Sequence, residues 1–292
     1  MIIDKYDLVS NVCELVSLPQ VCTQVVSMVD DPLCTIEDIV NLIQHDVYLT
    51  ARLLKIGNSP VYGFSGQIGT LKEAVKLIGT SVVRDLVFAA TMIKQMSTLN
   101  NPNLSASEFW TQSLLTAITA KHIARLVPSL VEDRLFVCGL LLDLGRLVIH
   151  NQMPEEGRMI LHAESINSDL SKPHLAEKKI LGYDHSEVGY ILATNWHFPD
   201  HLSTCIQFHH NPDACSHYQK EVSACFFADD LVDRIQHSGQ ARIDESRLAR
   251  SLKLLGLSND NLRNVMKPVV AELQEAVSVF LGGDNNETSN HA

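Results

Sequence analysis

Paired start and stop signals for α-helices recur along this chain, and they constrain its fold more than any other feature. Thr70 opens the segment TLKEAVKLIG, in which Glu73 completes a capping box and Gly79 supplies a stop. Ser105 and Glu108 repeat the box ahead of a second, longer segment. No region shows the sustained polar–apolar alternation and hairpin turns that a β-sheet requires. The sequence therefore predicts an all-α fold.

The dipeptide His45-Asp46 has the form of a metal-binding pair, but its position favours a helix boundary. Asp46 can cap the amphipathic segment VYLTARLLKIG, and His45 then ends the preceding helix. The segment IGNSPVYG, residues 56–63, is predicted to stop that helix and turn the chain. Asn58 and Ser59 are suited to hydrogen-bond the last helical carbonyls.

Two polar, turn-rich joints, STLNNPNLSAS and HSGQARID, divide the chain. They begin at residues 97 and 237, and the final stretch GGDNNETSNHA is too polar to pack. The expected organisation is an N-terminal helical lobe over residues 1–97, a second helical lobe over 98–238, C-terminal helices over 239–281 and a disordered tail over 282–292.

Charge and composition exclude several classes of function. The 292 residues carry a net charge of −11, and no run of Lys and Arg offers a basic patch, so nucleic-acid binding is disfavoured. No stretch reaches the roughly 18 apolar residues of a membrane span, and the N-terminus lacks a basic signal-peptide region. Seven cysteines without a C-x-x-C pair indicate reduced, mostly buried thiols. A cytoplasmic protein is expected.

Histidines concentrate in one part of the chain. Six of the thirteen fall between residues 185 and 217, namely His185, His197, His201, His209, His210 and His217. A zinc-protease helix is excluded, because Pro199 separates His197 from His201 and no Glu follows His197. The remaining cluster, with Asp229 and Asp230 nearby, fits either a metal site or a hydrogen-bonded network without metal. Spacing alone favours the network.

The chain resembles the HDOD family, the HD-related output domain of bacterial signalling proteins. The resemblance covers about residues 12–235 and rests on these segments: SLPQV (17–21), HDVYLTARLLKIGNSPVYG (45–63), TLKEAVKLIG (70–79), FWTQSLLTA (109–117), GLLLDLGRL (139–147), LGYDHSEVGYIL (181–192), NWHFP (195–199) and QFHHNP (207–212). It implies a two-lobed helical fold related to HD-superfamily phosphohydrolases, and a role in signal transduction.

The resemblance also implies a set of site positions. In active HD phosphohydrolases, His and Asp side chains hold one or two divalent metals that activate water. The first family histidine falls at Gln112, and the HD dipeptide falls at Leu142-Asp143. A leucine cannot ligate and a glutamine is a weak neutral ligand, so both positions are degenerate. The remaining candidate ligands, for a single residual site, are Asp143, His185, His209, His210 and Asp229, with Asp230 as a weaker alternative to Asp229.

These losses favour a non-catalytic signalling module that binds a partner protein or a small effector, and no catalytic residue is assigned. The alternative is a metal-dependent phosphohydrolase that acts on a phosphoester or nucleotide through the residual site. One divalent ion (Fe, Mn or Zn) and no metal at all are equally compatible with the sequence. The sequence is also compatible with a homo-oligomer. DNA binding through the N-terminal helices is disfavoured by the acidic charge.

Overall fold

The computed structural model of the protein describes residues 2–16, 18–29, 31–59, 61–62, 67–99, 101–236 and 245–281, and within them it is helical, without strands. The all-α prediction is confirmed. Two single-turn 3-10 helices, Ser168–Leu170 and Pro212–Ala214, accompany these α-helices: α1 Lys5–Leu15, α2 Gln20–Val29, α3 Ile36–Ile43, α4 Val47–Gly57, α5 Leu71–Ile78, α6 Thr80–Met96, α7 Ala106–Arg125, α8 Glu132–Leu141, α9 Leu144–Gln152, α10 Pro154–Ile166, α11 Pro173–Leu181, α12 His185–Asn195, α13 Asp200–Phe208, α14 Gln219–Gln236, α15 Glu245–Leu255 and α16 Asn259–Phe280.

The chain divides into two compact units. Unit 1 comprises Met1–Ser17 and Met96–Lys267, and unit 2 comprises Leu18–Gln95 and Pro268–Ala292. The division near residue 96 lies close to the expected joint, but α1 belongs to unit 1 and not to an N-terminal lobe. Helix α1 joins unit 1 because it packs against α9 and α12.

The predicted second joint and the predicted C-terminal tail fall on residues 237–244 and 282–292, which lie outside the described residues. Helices α15 and α16 do occupy the segment in which C-terminal helices were expected. Helix α15 packs against α14 in unit 1, whereas α16 contributes residues to both units, with the change at Pro268.

The helix boundaries follow the capping signals of the sequence. Thr70 accepts a hydrogen bond from the Glu73 amide, and Glu73 returns one, which completes the predicted capping box of α5. Gly79 ends α5 with φ of 89°, a left-handed conformation that favours glycine. Ser105 caps α7 by accepting a hydrogen bond from the Glu108 amide.

The His45-Asp46 dipeptide is a helix boundary, as expected. The Asp46 carboxylate accepts a hydrogen bond from the Leu49 amide at 2.9 Å and so caps α4. At the other end of α4, the Asn58 side-chain amide donates to the Leu54 carbonyl and bonds both backbone groups of Ile68. These contacts turn the chain in the way that the IGNSPVYG segment predicts.

A pair of glycines lets two helices of unit 1 touch at their backbones. A Cβ atom at Gly145, on α9, would overlap the carbonyl oxygen of His185 and lie 2.8 Å from the amide nitrogen of Gly189, on α12. Real Cβ atoms do not approach backbone so closely. The contact fixes where α12 begins relative to the α8–α9 junction.

Helices α8 and α9 form a long apolar run in unit 1. The segment Glu132–Gln152 is long and apolar enough to cross a membrane by composition alone, yet 83% of it is buried inside the fold. Burial of this kind is typical of a core helix pair, and α8 packs extensively against α7.

His150, on α9, is a buried histidine of this core. It is 0% exposed, and neither ring nitrogen has a hydrogen-bond partner among the described residues. Burial, helped by the positive charge of Arg146, lowers the pKa of His150 from 6.5 to about 3. The ring is therefore neutral in the folded protein at neutral pH.

We predict that Gly145→Ala destabilises the protein by about 2 kcal/mol or more, because the added methyl group must push two backbones apart. Chemical denaturation of both proteins measures the difference. Gly69→Ala is the control, since its Cβ would meet only the Glu73 carboxylate, at 3.8 Å. Equal stability losses in the two variants would contradict the close-contact explanation.

We also predict a pH effect from His150. Its folded pKa of about 3 lies below the unfolded value of 6.5, so between these values the unfolded chain binds one more proton. The free energy that this group contributes to folding is fully present above pH 6.5. Between pH 6.5 and about pH 3 it falls by about 1.4 kcal/mol for each unit by which the pH drops. Denaturation of His150→Gln at a series of pH values should show a shallower dependence than wild type. The exposed-site control, His162→Gln, should keep the wild-type slope.

Candidate metal centre

Asp143 occupies the junction between α8 and α9. It stands at the N-cap position of α9 but makes no capping hydrogen bond, so its carboxylate is available to other elements. One carboxylate oxygen, Oδ1, lies 3.2 Å from His185 Nε2 and 3.7 Å from His209 Nε2. Burial raises the pKa of Asp143, but the hydrogen bonds to His185 and His209 outweigh burial and hold it well below 3.8. The carboxylate is therefore anionic.

His185 begins α12 and is held in place by a buried carboxylate, Glu177 of α11. Glu177 Oε2 lies 2.6 Å from His185 Nδ1 and also accepts the His185 backbone amide at 2.8 Å. This arrangement places the proton on Nδ1 and points Nε2 at Asp143, as carboxylates do behind metal-binding histidines. Burial lowers the pKa of His185, but the charges and hydrogen bonds of Glu177 and Asp143 raise it well above 6.5.

His209 and His210 follow α13 and both turn toward His185. His209 Nδ1 lies 2.8 Å from the Ile206 carbonyl and donates to it, which leaves the Nε2 lone pair facing His185 Nε2 at 3.4 Å. His210 Nε2 lies 2.8 Å from the same His185 nitrogen. Because lone pairs at these separations repel, a proton or a cation must lie among the three nitrogens.

The two adjacent aspartates of α14 have different surroundings. Asp229 Oδ2 lies 3.8 Å from His210 Nδ1, and burial together with the charge of Asp143 raises the pKa of Asp229 to about 6. Asp230 is engaged elsewhere, in ion pairs with Lys172 at 2.8 Å and Arg234 at 2.9 Å. Of the two, Asp229 is the residue placed beside the histidines.

The structure thus brings together all five residues that the resemblance nominated. Ligand nitrogens of His185, His209 and His210 all lie within 4.8 Å of one another, and the Asp143 oxygen lies 3.2 Å from His185 Nε2 and 3.7 Å from His209 Nε2. The backing of His185 by Glu177 and of His209 by a carbonyl fits this donor set as well. The residues present therefore fit a single divalent cation, which the three histidines would hold with Asp143 and Asp229 alongside.

The two degenerate positions, Gln112 and Leu142, lie in different surroundings. Gln112 lines a cavity of about 20 Å³ together with Asp143, His185, His210 and Asp229. Leu142 is 1% exposed and belongs to the core of unit 1. A cavity of this size admits about one water molecule or one ion.

Sequence reasoning missed Glu177 and five residues that line the cavity, among them Asp233. Lys172, His174 and Arg146 line the cavity, and His174 stacks on His210 with ring centroids 3.8 Å apart. Glu177 was also missed, although the sequence carried a signal for it. His174 and Glu177 share a face of α11 with the buried Leu181, at spacings of three and four residues, so a charged Glu177 on that face required a partner.

The fold is shared with several solved bacterial proteins. An HDOD domain protein with unknown function from Geobacter sulfurreducens superposes with a TM-score of 0.74 at 24% identity, covering 95% of this chain and 98% of the other. A "Putative phosphohydrolase" from Shewanella amazonensis gives 0.71 at 26% identity, over 94% and 96% of the two chains. A "Putative signal transduction protein" from Marinobacter aquaeolei gives 0.72 at 17% identity, over 92% and 60%.

Sequence comparison identifies the family. An uncharacterised protein from Treponema pallidum is 28% identical over 219 residues; the match covers 74% of this chain but only 41% of that relative's length. The sequence profile of the HDOD domain matches residues 15–212, about two thirds of the chain and including Asp143, His185, His209 and His210. The protein therefore belongs to the HDOD domain family, with a fold related to that of HD phosphohydrolases.

Proposed function

We propose that this HDOD protein is a signal-transduction module that works by binding a partner protein or a small effector and not by catalysis. The observation that carries the proposal is the size and composition of the pocket around Asp143. Its cavity of about 20 Å³ has room for one ion or one water, whereas a hydrolytic centre with two metals must also admit a phosphoester.

Leu142 supports the same conclusion. In the HD dipeptide of the related hydrolases this position carries a histidine, and here it carries a buried hydrocarbon side chain. The change removes a nitrogen ligand and adds apolar surface to the core, which stabilises the fold and weakens the site.

Positive side chains partly replace the charge that a second metal would bring. Arg146 and Lys172 line the cavity beside Asp143 and Asp229, and Lys172 is also ion-paired with Asp230. The cavity is also lined by Asp233, so these two cations offset part of the charge of its carboxylates without a metal cluster.

The alternative function is a metal-dependent phosphohydrolase with one ion. It is favoured by the convergence of His185, His209 and His210 on a single point, with Asp143 beside it. A bound ion would supply Lewis acidity and a more acidic water there. The chain's own contribution would be to orient that ion through Glu177 and to attract a phosphate through Arg146 and Lys172.

Metal analysis combined with an activity screen separates the two functions. For purified protein reconstituted with Fe, Mn or Zn, we expect at most one ion per chain and no turnover of phosphomonoesters, phosphodiesters or cyclic nucleotides. Elemental analysis and product chromatography measure both quantities. Turnover that disappears in Asp143→Ala, with two ions per chain, would refute the non-catalytic proposal. Binding of one ion that is lost in His210→Ala, together with turnover, would establish the alternative.

Glu177 offers a sharper test of the ligand geometry. We predict that Glu177→Gln weakens binding of any divalent ion about 10- to 100-fold, because the amide holds His185 less firmly and makes its ring less basic. Competition with a chromophoric chelator measures the affinity. The control is Glu155→Gln, at a surface site where Glu155 pairs only with Arg158 among the described contacts. Unchanged affinity in Glu177→Gln would show that His185 is not a ligand.

A further inference from the structure

Three cysteines converge in the core of unit 1. Cys138 of α8, Cys205 of α13 and Cys225 of α14 are each 0% exposed. Their sulfur atoms all lie within 4.8 Å of one another, and their thiols hydrogen-bond among themselves. All seven cysteines of the chain are thiols and not disulfides, so the three are available for another chemistry.

On α13 and α14 the thiol cluster lies one helical turn before a residue of the candidate metal centre. Cys138 precedes Leu142 by four residues, Cys205 precedes His209 by four, and Cys225 precedes Asp229 by four. Residues four apart lie on the same face of a helix. The faces of α13 and α14 that carry His209 and Asp229 therefore present a thiol one turn earlier, and Cys138 on α8 completes a layer of sulfur donors.

The surroundings favour the protonated form of Cys205 and Cys225, because the pKa of each thiol is raised well above 9. The hydrogen bond with Cys138, together with burial, raises the pKa of Cys225 well above its usual 9. The negative charge of Glu221, one turn earlier on α14, acts in the same direction. A ligand for this cluster must therefore bind three neutral thiols without leaving net charge in the core, since a buried unpaired charge is costly.

We propose that Cys138, Cys205 and Cys225 form a trithiol site for trivalent arsenic and chemically similar metalloids. Arsenite in neutral solution is the uncharged acid As(OH)₃. Each thiol forms one As–S bond, and its proton leaves with one hydroxide as water. The balanced reaction is As(OH)₃ plus three thiols giving As(SR)₃ plus three waters. No oxidant or reductant takes part, and the product is neutral.

The charge and the coordination number of the three-cysteine cluster favour trivalent arsenic over common metal ions. Zinc prefers four ligands, and the cluster supplies three. A monovalent soft metal bound by three thiolates would leave two negative charges in the core beside Glu221, which is unfavourable. A central atom with bonds near the ~2.3 Å of Zn–S holds three sulfurs about 4 Å apart or less, within reach of small side-chain movements.

Native mass spectrometry of the full chain with arsenite tests the proposal. We expect one adduct, with the mass of one arsenic atom less three hydrogens, and a rise in Tm because the ligand binds only the folded state. Cys225→Ala and Cys205→Ala should each weaken the adduct at least tenfold. Cys22→Ala is the matched control: Cys22 is equally buried but lies in unit 2, and its loss should change nothing.

Peptide mapping of the wild-type protein provides a test that needs no variant. After arsenite treatment and unfolding, Cys138, Cys205 and Cys225 should resist alkylation together, while Cys22 should react. The proposal is overturned by the absence of an adduct, by an adduct that has lost only two hydrogens, or by one that persists in both alanine variants. An adduct formed only in denaturant would assign the reaction to the unfolded chain and would also overturn it.

Discussion

The close contact between α9 and α12 is the constraint on which the rest of unit 1 depends. Gly145 and Gly189 remove both side chains at the crossing, and the helices approach until backbone meets backbone. Asp143 lies two residues before the first glycine, and His185 lies one turn before the second. Their 3.2 Å separation is therefore a consequence of helix packing and not of local sequence. Backbone contact of this kind also makes the relative position of α9 and α12 rigid, because closely packed helices leave no free volume into which either could move.

Within the pocket, negative carboxylates are paired with a positively charged imidazole. Asp143 and Glu177 are carboxylates directed at one imidazole, which explains why the pKa of His185 is raised while that of Asp143 is lowered. In the absence of a cation a proton on His185 can serve the same purpose, since the neighbouring ring nitrogens need a positive centre between them. The site is thus organised around one positive charge. The buried Leu142 gives no support for a second.

The three helices that carry this pocket serve more than one purpose along their length. One turn before His209 and Asp229, and four residues before the core residue Leu142, these helices bring three thiols together. The two layers differ in chemistry: nitrogen and oxygen donors around a charged centre in one, and neutral sulfur in the other. Hard and borderline cations suit the first layer, and thiophilic species suit the second.

Capping residues and helical periodicity predicted the all-α class and the start of α4, α5 and α7, because a helix end is decided by side chains within four residues of it. The motif resemblance nominated the five pocket residues. Sequence could not supply Glu177 as the partner of His185 or Lys172 as the partner of Asp230, and it did not show that α1 packs against α9 and α12. Those relations join residues 8 and 58 positions apart, or whole helices. Only the tertiary structure decides them, because burial and contact across helices, unlike capping, depend on how the elements pack.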